Sequence, residues 1–122
     1  MREKKRILIV EDDYLIAMML AETLEAAGWQ VVGPIGRLAE AVDTAATEGI
    51  DVAVLDINLG GWAVYPVAQV LAARNVPFLF LTGYGTEIVQ RPYCERPRLG
   101  KPVKAAELIG TVTRLLASAA GA

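Results

Sequence analysis

The chain has 122 residues, the usual size of one domain and enough to bury a hydrophobic core without disulfides or metals. Hydrophobic residues make up 54% of the chain and charged residues 21%, which excludes an intrinsically disordered protein. The formal net charge of -2 gives no general attraction to nucleic acid or to an anionic membrane surface. We therefore expect a single domain over residues 1–122 with no output domain, and neither nucleic acid nor membrane as a partner.

The counts of histidine and cysteine narrow the chemistry further. The chain has no histidine, which excludes His-dependent catalytic triads, His zinc sites and a role as a phosphohistidine donor. Cys94 is the only cysteine, so no internal disulfide can form and a reducing compartment is the simpler assumption. The apolar runs are too short to span a bilayer, and no signal-peptide pattern follows the charged amino terminus. These features predict a cytoplasmic protein.

The first half of the chain alternates between strand and helix patterns. Residues 7–10 form a continuous β-rich run, as in a strand buried on both faces. Asp13 is placed to cap a helix over residues 14–27, where apolar side chains recur at helical spacing. A short strand at residues 29–32 and an amphipathic helix at residues 38–48 follow.

The alternation continues through the middle of the chain. Residues 51–55 form an apolar strand that stops at Asp56 and runs into a glycine-bearing turn. A third helix is predicted over residues 63–74, beginning near Pro66 because proline is tolerated in a first helical turn. Residues 77–81 are again fully apolar and predict the fourth strand.

The last part of the chain is less regular. Residues 86–90 can form only a turn or two of helix, because Pro92 and Pro97 forbid a longer one. A minimal fifth strand at residues 98–100 and a final amphipathic helix at residues 104–119 complete the pattern. Strict alternation of strand and helix requires crossover connections, so we predict an α/β fold with a parallel sheet and helices on both faces.

Polar side chains stand where four of the predicted strands end. Glu11 and Asp12 follow the first strand, Asp56 the third, Thr82 the fourth and Lys101 the fifth. In a parallel sheet these ends share one edge, and three carboxylates there would repel each other without a cation. A hard divalent ion with oxygen ligands suits this set, and we expect Mg²⁺. The hydroxyl, the lysine and the metal would surround one carboxylate and make a phosphoryl pocket, with that carboxylate as nucleophile.

Each of these residues also has a purely structural interpretation. Glu11 and Asp12 can serve only to cap the following helix, Thr82 only to bond a turn, and Lys101 only as a solvated charge. Taken one at a time, each structural interpretation is the more frequent one. Their joint placement at one sheet edge is what favours the functional interpretation.

Four motifs together resemble the receiver domain of two-component response regulators over essentially the whole chain. They are ILIVEDD at residues 7–13, VLDINLGG at 54–61, LTG at 81–83 and KP at 101–102. The stretch FLTGY at residues 80–84 further resembles the single-domain subgroup nicknamed FAT GUY, with Leu81 in place of its alanine. The resemblance implies a flavodoxin-like (βα)5 doubly wound fold with a five-stranded parallel sheet and a short or irregular fourth helix.

The resemblance also implies a function and its partners. Asp56 matches the residue that accepts a phosphoryl group from a histidine kinase or a histidine phosphotransfer protein. Such a domain turns over no external substrate, so we do not expect an enzyme, and its signal passes to a separate downstream protein. Gly83 matches a small residue that leaves access to Asp56.

The other site residues are carried over from the resemblance position by position. Glu11 and Asp12 match the acidic pair that binds Mg²⁺ together with the phosphoacceptor, and Asn58 matches the position whose backbone carbonyl completes the metal site. Thr82 matches the switch hydroxyl that turns toward the phosphate. Lys101 matches the lysine that pairs with it.

Two departures from the receiver pattern concern the response to phosphorylation. Arg98 stands three positions before the lysine, where receivers carry Tyr or Phe, and the interval from Thr82 to Lys101 is short. We hypothesise that residues 84–97 are mobile before phosphorylation and order afterwards. A second hypothesis is that the ring of Tyr84 slows loss of the phosphoryl group.

Competing interpretations come from other classes of protein. A non-phosphorylated interaction scaffold could keep the fold but has no need for three clustered carboxylates. A phosphatase-type enzyme would need a second carboxylate where Asn58 stands. A flavin-binding protein would need a hydroxyl- and glycine-rich loop after the first strand, where the chain has acidic residues. The receiver interpretation agrees best with the residues present.

Overall fold

The computed structural model of this chain describes residues 4–83 and 89–120. In that part of the chain the strands are β1 (Arg6–Val10), β2 (Gln30–Ile35), β3 (Val52–Asp56), β4 (Asn58–Leu59), β5 (Trp62–Ala63), β6 (Phe78–Thr82) and β7 (Arg98–Gly100). The helices are α1 (Tyr14–Ala26), α2 (Leu38–Thr47), α3 (Tyr65–Ala73) and α4 (Ala105–Ala120). All five predicted strands and the four long helices are therefore present. Within these ranges no helix is long and apolar enough to cross a bilayer.

Five of the strands form one parallel sheet in the order β2-β1-β3-β6-β7. Every neighbouring pair in it is parallel, as the alternation of strand and helix requires. The order reverses at β1, which lies between β2 and β3, and such a switch point places ligands beyond the carboxyl ends of β1 and β3. This arrangement confirms the predicted doubly wound, flavodoxin-like α/β fold.

Alternate residues of the three central strands supply two separate cores, one on each face of the sheet. Leu8, Leu55 and Phe80 join the cluster that packs against α2 and α3. Ile9 and Leu81, which point the other way, join the cluster that packs against α1 and α4. Burial on both faces explains why these strands are apolar throughout, without the alternation of a half-exposed strand.

The second strand is longer than the sequence predicts. We expected it to end at residue 32, before Gly33 and Pro34, but β2 continues to Ile35. Proline is tolerated because β2 is an edge strand, where a missing N–H need not disrupt the sheet. Glycine is required because φ at residue 33 is 99° and a Cβ there would lie 2.9 Å from the carbonyl oxygen of Ile9.

The turn predicted after Asp56 is a small antiparallel hairpin made of β4 and β5. Gly60 and Gly61 form its tip with φ values of 56° and 95°, a left-handed conformation that glycine adopts without strain. The side-chain oxygen of Asn58 accepts a hydrogen bond from the N–H of Gly61 at 2.7 Å. The hairpin is therefore held closed beside the end of β3.

The short fourth helix predicted at residues 86–90 and the hypothesis on Tyr84 fall mostly on residues 84–88, outside the described residues. Residues 89–97 are described and form turns rather than a helix. The N–H of Tyr93 donates to the carbonyl of Gln90, and the N–H of Phe80 donates to the carbonyl of Pro97. The second of these bonds joins the end of this segment to β6, and the hypothesis that residues 84–97 are mobile before phosphorylation stays a hypothesis.

Candidate functional site

Three carboxylates meet at the carboxyl ends of β1 and β3. Val10 pairs with Leu55 across these strands, so the next residues, Glu11 and Asp56, stand side by side. Ligand oxygens of Glu11, Asp12 and Asp56 all lie within 4.8 Å of one another. The predicted acidic cluster is therefore formed by the fold, with Glu11 2% and Asp56 6% exposed.

Lys101 places its ammonium group against two of these carboxylates. Its Nζ lies 2.9 Å from Oε1 of Glu11 and 3.2 Å from Oδ2 of Asp56. The backbone N–H of Lys101 donates to the carbonyl of Thr82 at 2.9 Å, which fixes the lysine at the end of β6. Burial by itself lowers the pKa of Lys101, but hydrogen bonding to Glu11 and the charges of Asp56 and Glu11 outweigh it and raise that pKa. The lysine therefore stays charged within the site.

Asp56 is held in an environment that disfavours its ionised form. Burial is the largest cause, the negative charge of Glu11 and a hydrogen bond with Glu11 add to it, and Lys101 opposes them. Together they raise the pKa of Asp56 from 3.8 to about 7. Burial and the neighbouring Glu11 together therefore outweigh the stabilisation that Lys101 gives to the ionised carboxylate.

The donor set fits a hard divalent cation. Oε1 of Glu11 is buried and accepts no hydrogen bond of regular geometry from the described residues, although the Lys101 ammonium lies close to it. The other oxygen, Oε2, accepts from the N–H of Asp13 at 3.1 Å. Three clustered carboxylates are the kind of oxygen ligands that Mg²⁺ or a similar ion prefers. The site can therefore hold a metal through these residues.

The β4–β5 hairpin forms one wall of the site. The backbone N–H of Asn58 donates to Oδ1 of Asp56 at 3.3 Å. At the tip, a Cβ added to Gly60 would lie 3.6 Å from Oδ2 of Asp12, so the turn lies close to that carboxylate. Asn58 is thus beside the acidic cluster, as predicted, and metal ligation by its backbone carbonyl stays a prediction.

Thr82 closes the site from the β6 side. Leu81 pairs with Asp56 across β3 and β6, so Thr82 follows at the same edge, and it is only 3% exposed. Its Oγ1 donates to the carbonyl of Leu99 at 3.5 Å, a long and weak hydrogen bond. Thr82 therefore lies at the same sheet edge as the acidic cluster with its hydroxyl only loosely held, and its role as a switch stays a prediction.

The family described as the response regulator receiver domain matches residues 7–113 of this sequence. The chain belongs to this family. Among curated relatives of the receiver, the transcriptional regulatory protein PdtaR of Mycobacterium tuberculosis H37Rv is 32% identical over 116 residues, which cover 88% of this chain and 55% of PdtaR. The phyllosphere-induced regulator PhyR of Methylorubrum extorquens AM1 is 30% identical over 117 residues, which cover 90% of this chain and 43% of PhyR. The receiver spans about half the length of these relatives.

Solved structures agree with this assignment. The solution structure of SdrG from Sphingomonas melonis Fr1 is 42% identical, covers 95% of this receiver and 99% of SdrG, and superposes with a TM-score of 0.83. A second solution structure, of SdrG in its BeF3-activated conformation, is 41% identical over the same shares of the two chains and gives a TM-score of 0.77. The receiver therefore shares its fold over nearly the whole length of SdrG.

Arg98 stands where the resemblance places an aromatic residue, and the receiver uses it differently. It is exposed on the edge strand β7, paired with Phe80 of β6. Aromatic packing against β6 comes instead from Tyr65 and Tyr93, which the sequence reasoning did not select. Tyr65 carries no local signal, because only the tertiary fold brings it to residues 89–97.

In the metal-free receiver, Asp56→Asn is expected to stabilise the fold, and more so at higher pH. A folded-state pKa raised from 3.8 to about 7 means that the folded protein binds the Asp56 proton more tightly than the unfolded chain does. Below pH 4 the protonated Asp56 carboxyl does not lower the free energy of unfolding. As the pH rises toward 7, holding this carboxyl in the folded protein lowers that free energy progressively. The variant cannot ionise, so its advantage in free energy of unfolding should grow by roughly 2–4 kcal/mol from pH 4 to pH 8.

Urea unfolding in EDTA at pH 4, 6 and 8 measures this difference. Asp43→Asn is the matched control, since Asp43 is an exposed carboxylate on α2. An advantage of Asp56→Asn that stays constant across this range would contradict the raised pKa.

Proposed function

We propose that this receiver accepts a phosphoryl group on Asp56 from the phosphohistidine of a histidine kinase or a histidine phosphotransfer protein, in a reaction that requires Mg²⁺. One observation carries the proposal: the carboxylate of Asp56 ends β3 within reach of two acidic side chains and of the Lys101 ammonium, 3.2 Å away. A structural carboxylate has no need for such neighbours. A phosphoryl acceptor needs positive charge beside it, which the Lys101 ammonium provides and which the acidic side chains would add by binding a metal ion.

The transfer step uses groups that the fold already places. A carboxylate oxygen of Asp56 forms a bond to phosphorus while the bond from phosphorus to the donor imidazole nitrogen breaks, and that electron pair leaves with the nitrogen. Glu11, Asp12, Asp56 and the backbone carbonyl of Asn58 would hold Mg²⁺, which supplies positive charge to the phosphoryl oxygens when bound. Lys101 offers a second positive charge at the same place. Thr82 can donate its hydroxyl to a phosphoryl oxygen, a stronger acceptor than the Leu99 carbonyl.

The consequence of phosphorylation would be a change in partner binding rather than turnover of an external substrate. Support comes from SdrG, 42% identical to this receiver, for which a BeF3-activated conformation has been solved separately. Beryllofluoride can therefore serve as the phosphoryl mimic for this receiver too. The partner that responds would be a separate protein.

An exposed apolar face on α1 supports a protein as phosphodonor. Leu15 is 77% exposed, and Met18 and Met19 lie beside it on the same helix. Met19 also lines a groove of about 450 Å³ that is bordered by Gly83 and Lys101. A donor protein that docks on this face of α1 would reach the acidic site directly.

Leu15→Glu is expected to slow phosphoryl transfer from a cognate donor protein by at least about tenfold, because one carboxylate in an apolar contact costs more than 1.4 kcal/mol. Transfer from acetyl phosphate, which needs no docking, should be unchanged. Ala26→Glu at the other end of α1 is the matched control, and rates from labelled donor protein measure the effect. Equal slowing with both donors would mean that Leu15 supports the fold or the site rather than docking.

Phosphotransfer profiling tests the proposed function itself. Autophosphorylated histidine kinases and phosphotransfer proteins from the same genome are mixed with the receiver and Mg²⁺, and the label is followed for seconds to minutes. We expect at least one donor to label the wild type and not Asp56→Asn. Labelling of neither protein by any donor would favour the alternative, a receiver-fold scaffold that works without phosphorylation.

A further inference from the structure

Two tyrosines link helix α3 to the turns at residues 89–97. Tyr65 begins α3, and Tyr93 lies in the turns. Their rings are stacked, with centroids 5.9 Å apart and planes 9° from parallel. Both rings are half-buried against the core cluster on this face of the sheet. The pair therefore joins two segments that are far apart in sequence.

The same two rings touch the strand that ends at the acidic site. The Tyr65 ring meets the Phe80 ring edge-on at 6.0 Å, and the Tyr93 ring lies 6.3 Å from Phe80 and 5.8 Å from Phe78. Phe78, Phe80 and Thr82 alternate along β6 and so share one face of it. The tyrosine pair thus packs on the face of β6 that ends at Thr82.

Gln90, at the start of the turns, is hydrogen-bonded to both members of this pair, and its carbonyl accepts from the N–H of Tyr93 at 2.9 Å. The backbone N–H of Gln90 donates to the hydroxyl of Tyr65 at 3.0 Å. At the other end of the turns, the N–H of Phe80 donates to the carbonyl of Pro97 at 2.9 Å, and the Arg96 guanidinium lies 4.2 Å above the Phe78 ring. A conservative substitution, Tyr65→Phe, removes the hydrogen bond from Gln90 and leaves the aromatic ring in place.

Resting on the proposed function, we propose that Tyr65 and Tyr93 are positioning residues that couple Asp56 to residues 89–97. The Gln90 to Tyr65 hydrogen bond is made in the unphosphorylated receiver and released when Asp56 is phosphorylated. Thr82 exchanges its weak acceptor, the Leu99 carbonyl, for a phosphoryl oxygen, and β6 passes the shift to Phe80 and the tyrosine stack. The tyrosine pair thereby replaces the aromatic residue that receivers carry three positions before the lysine, where this chain has Arg98, exposed on β7.

A contact made in only one state must bias the equilibrium between states. If the Tyr65 hydroxyl stabilises the unphosphorylated state alone, then removing it lowers the cost of reaching the activated state. Tyr65→Phe should therefore bind a phosphoryl mimic more tightly even though it loses a hydrogen bond. A hydroxyl that merely supports the fold would lower stability and leave that affinity unchanged.

The experiment uses the full chain with Mg²⁺ and beryllofluoride as the probe, followed by amide hydrogen exchange and by titration. In the wild type we expect exchange at the Gln90 amide to accelerate about tenfold on saturation, as for loss of one hydrogen bond. In Tyr65→Phe this amide should exchange fast from the start, and beryllofluoride should bind about fivefold more tightly. Thr47→Val, which removes a hydroxyl bonded within α2, should behave as the wild type. Tyr93→Leu, which removes the stack but keeps an apolar side chain, should shift affinity in the same direction.

Two results would overturn the proposal and can be told apart. In the first, beryllofluoride binds the wild type, but exchange at the Gln90 amide is unchanged and both tyrosine variants bind beryllofluoride with wild-type affinity. This result would overturn the coupling and leave the proposed function standing. Failure of the wild type to bind beryllofluoride with Mg²⁺ would overturn the proposed function and this inference together.

Discussion

Lys101→Ala is expected to slow phosphoryl transfer to Asp56 from acetyl phosphate by about 100- to 1000-fold, the usual cost of removing one preorganised charge that stabilises a transition state. The Nζ of Lys101 lies 3.2 Å from the acceptor carboxylate and 2.9 Å from Glu11, and both of these carboxylates are buried. An ammonium at this position stabilises charge on the transferring group far more than it would in solvent. Initial rates of phosphoprotein formation at saturating Mg²⁺ measure the effect.

Lys104→Ala is the matched control, because Lys104 is exposed and precedes α4 by one residue. Both lysines lie in the connection between β7 and α4, so the control removes an equal charge that does not contact the carboxylates. The rate of phosphoryl transfer to Lys104→Ala should stay within about twofold of the wild-type rate. Loss of Lys101 also leaves buried Glu11 without its cation, so thermal unfolding of each variant must accompany the rates. A folded Lys101→Ala protein that reacts as fast as the wild type would contradict the assigned role.

Asp12→Asn is expected to weaken Mg²⁺ binding by at least about tenfold, the scale on which changes around a metal site lower affinity. Asp12 is an exposed member of the carboxylate cluster, so its substitution removes a ligand and a charge without opening the core. Phosphorylation at low Mg²⁺ should fall in parallel and recover as Mg²⁺ is raised. Calorimetric titration with Mg²⁺ measures the affinity.

Asp43→Asn again provides the control, since it removes one exposed negative charge on α2 that is not part of the carboxylate cluster. Its Mg²⁺ affinity should equal that of the wild type. Equal affinities for Asp12→Asn and Asp43→Asn would contradict the assignment of Asp12 as a ligand of Mg²⁺.

The sequence predicts the sheet and the acidic cluster well because both depend on local patterns. Strands such as β3 are buried on both faces, and a continuous apolar run that stops at a carboxylate, as at Asp56, has few other interpretations. Once the five strands of the sheet are parallel, the polar residues at their carboxyl ends must share one edge. The placement of Glu11, Asp12 and Lys101 beside Asp56 follows from topology rather than from side-chain detail.

The features that the sequence does not predict depend on tertiary context. Gly60 and Gly61 are a recognisable two-residue hairpin turn, but strands of two residues are too short for a periodic pattern. The extension of β2 past Pro34 is allowed only because β2 lies at the sheet edge. The stack of Tyr65 on Tyr93 joins residues whose proximity no local pattern encodes.

Intact-mass spectrometry after incubation with acetyl phosphate tests phosphorylation of Asp56 most directly. The wild type with Mg²⁺ should gain one phosphoryl group per chain, and peptide mapping after borohydride reduction should place it on Asp56. Excess EDTA and the Asp56→Asn substitution should each abolish the gain. Equal gains in the wild type and Asp56→Asn, or no gain by the folded wild type with Mg²⁺, would contradict the assignment of Asp56 as the phosphoryl acceptor.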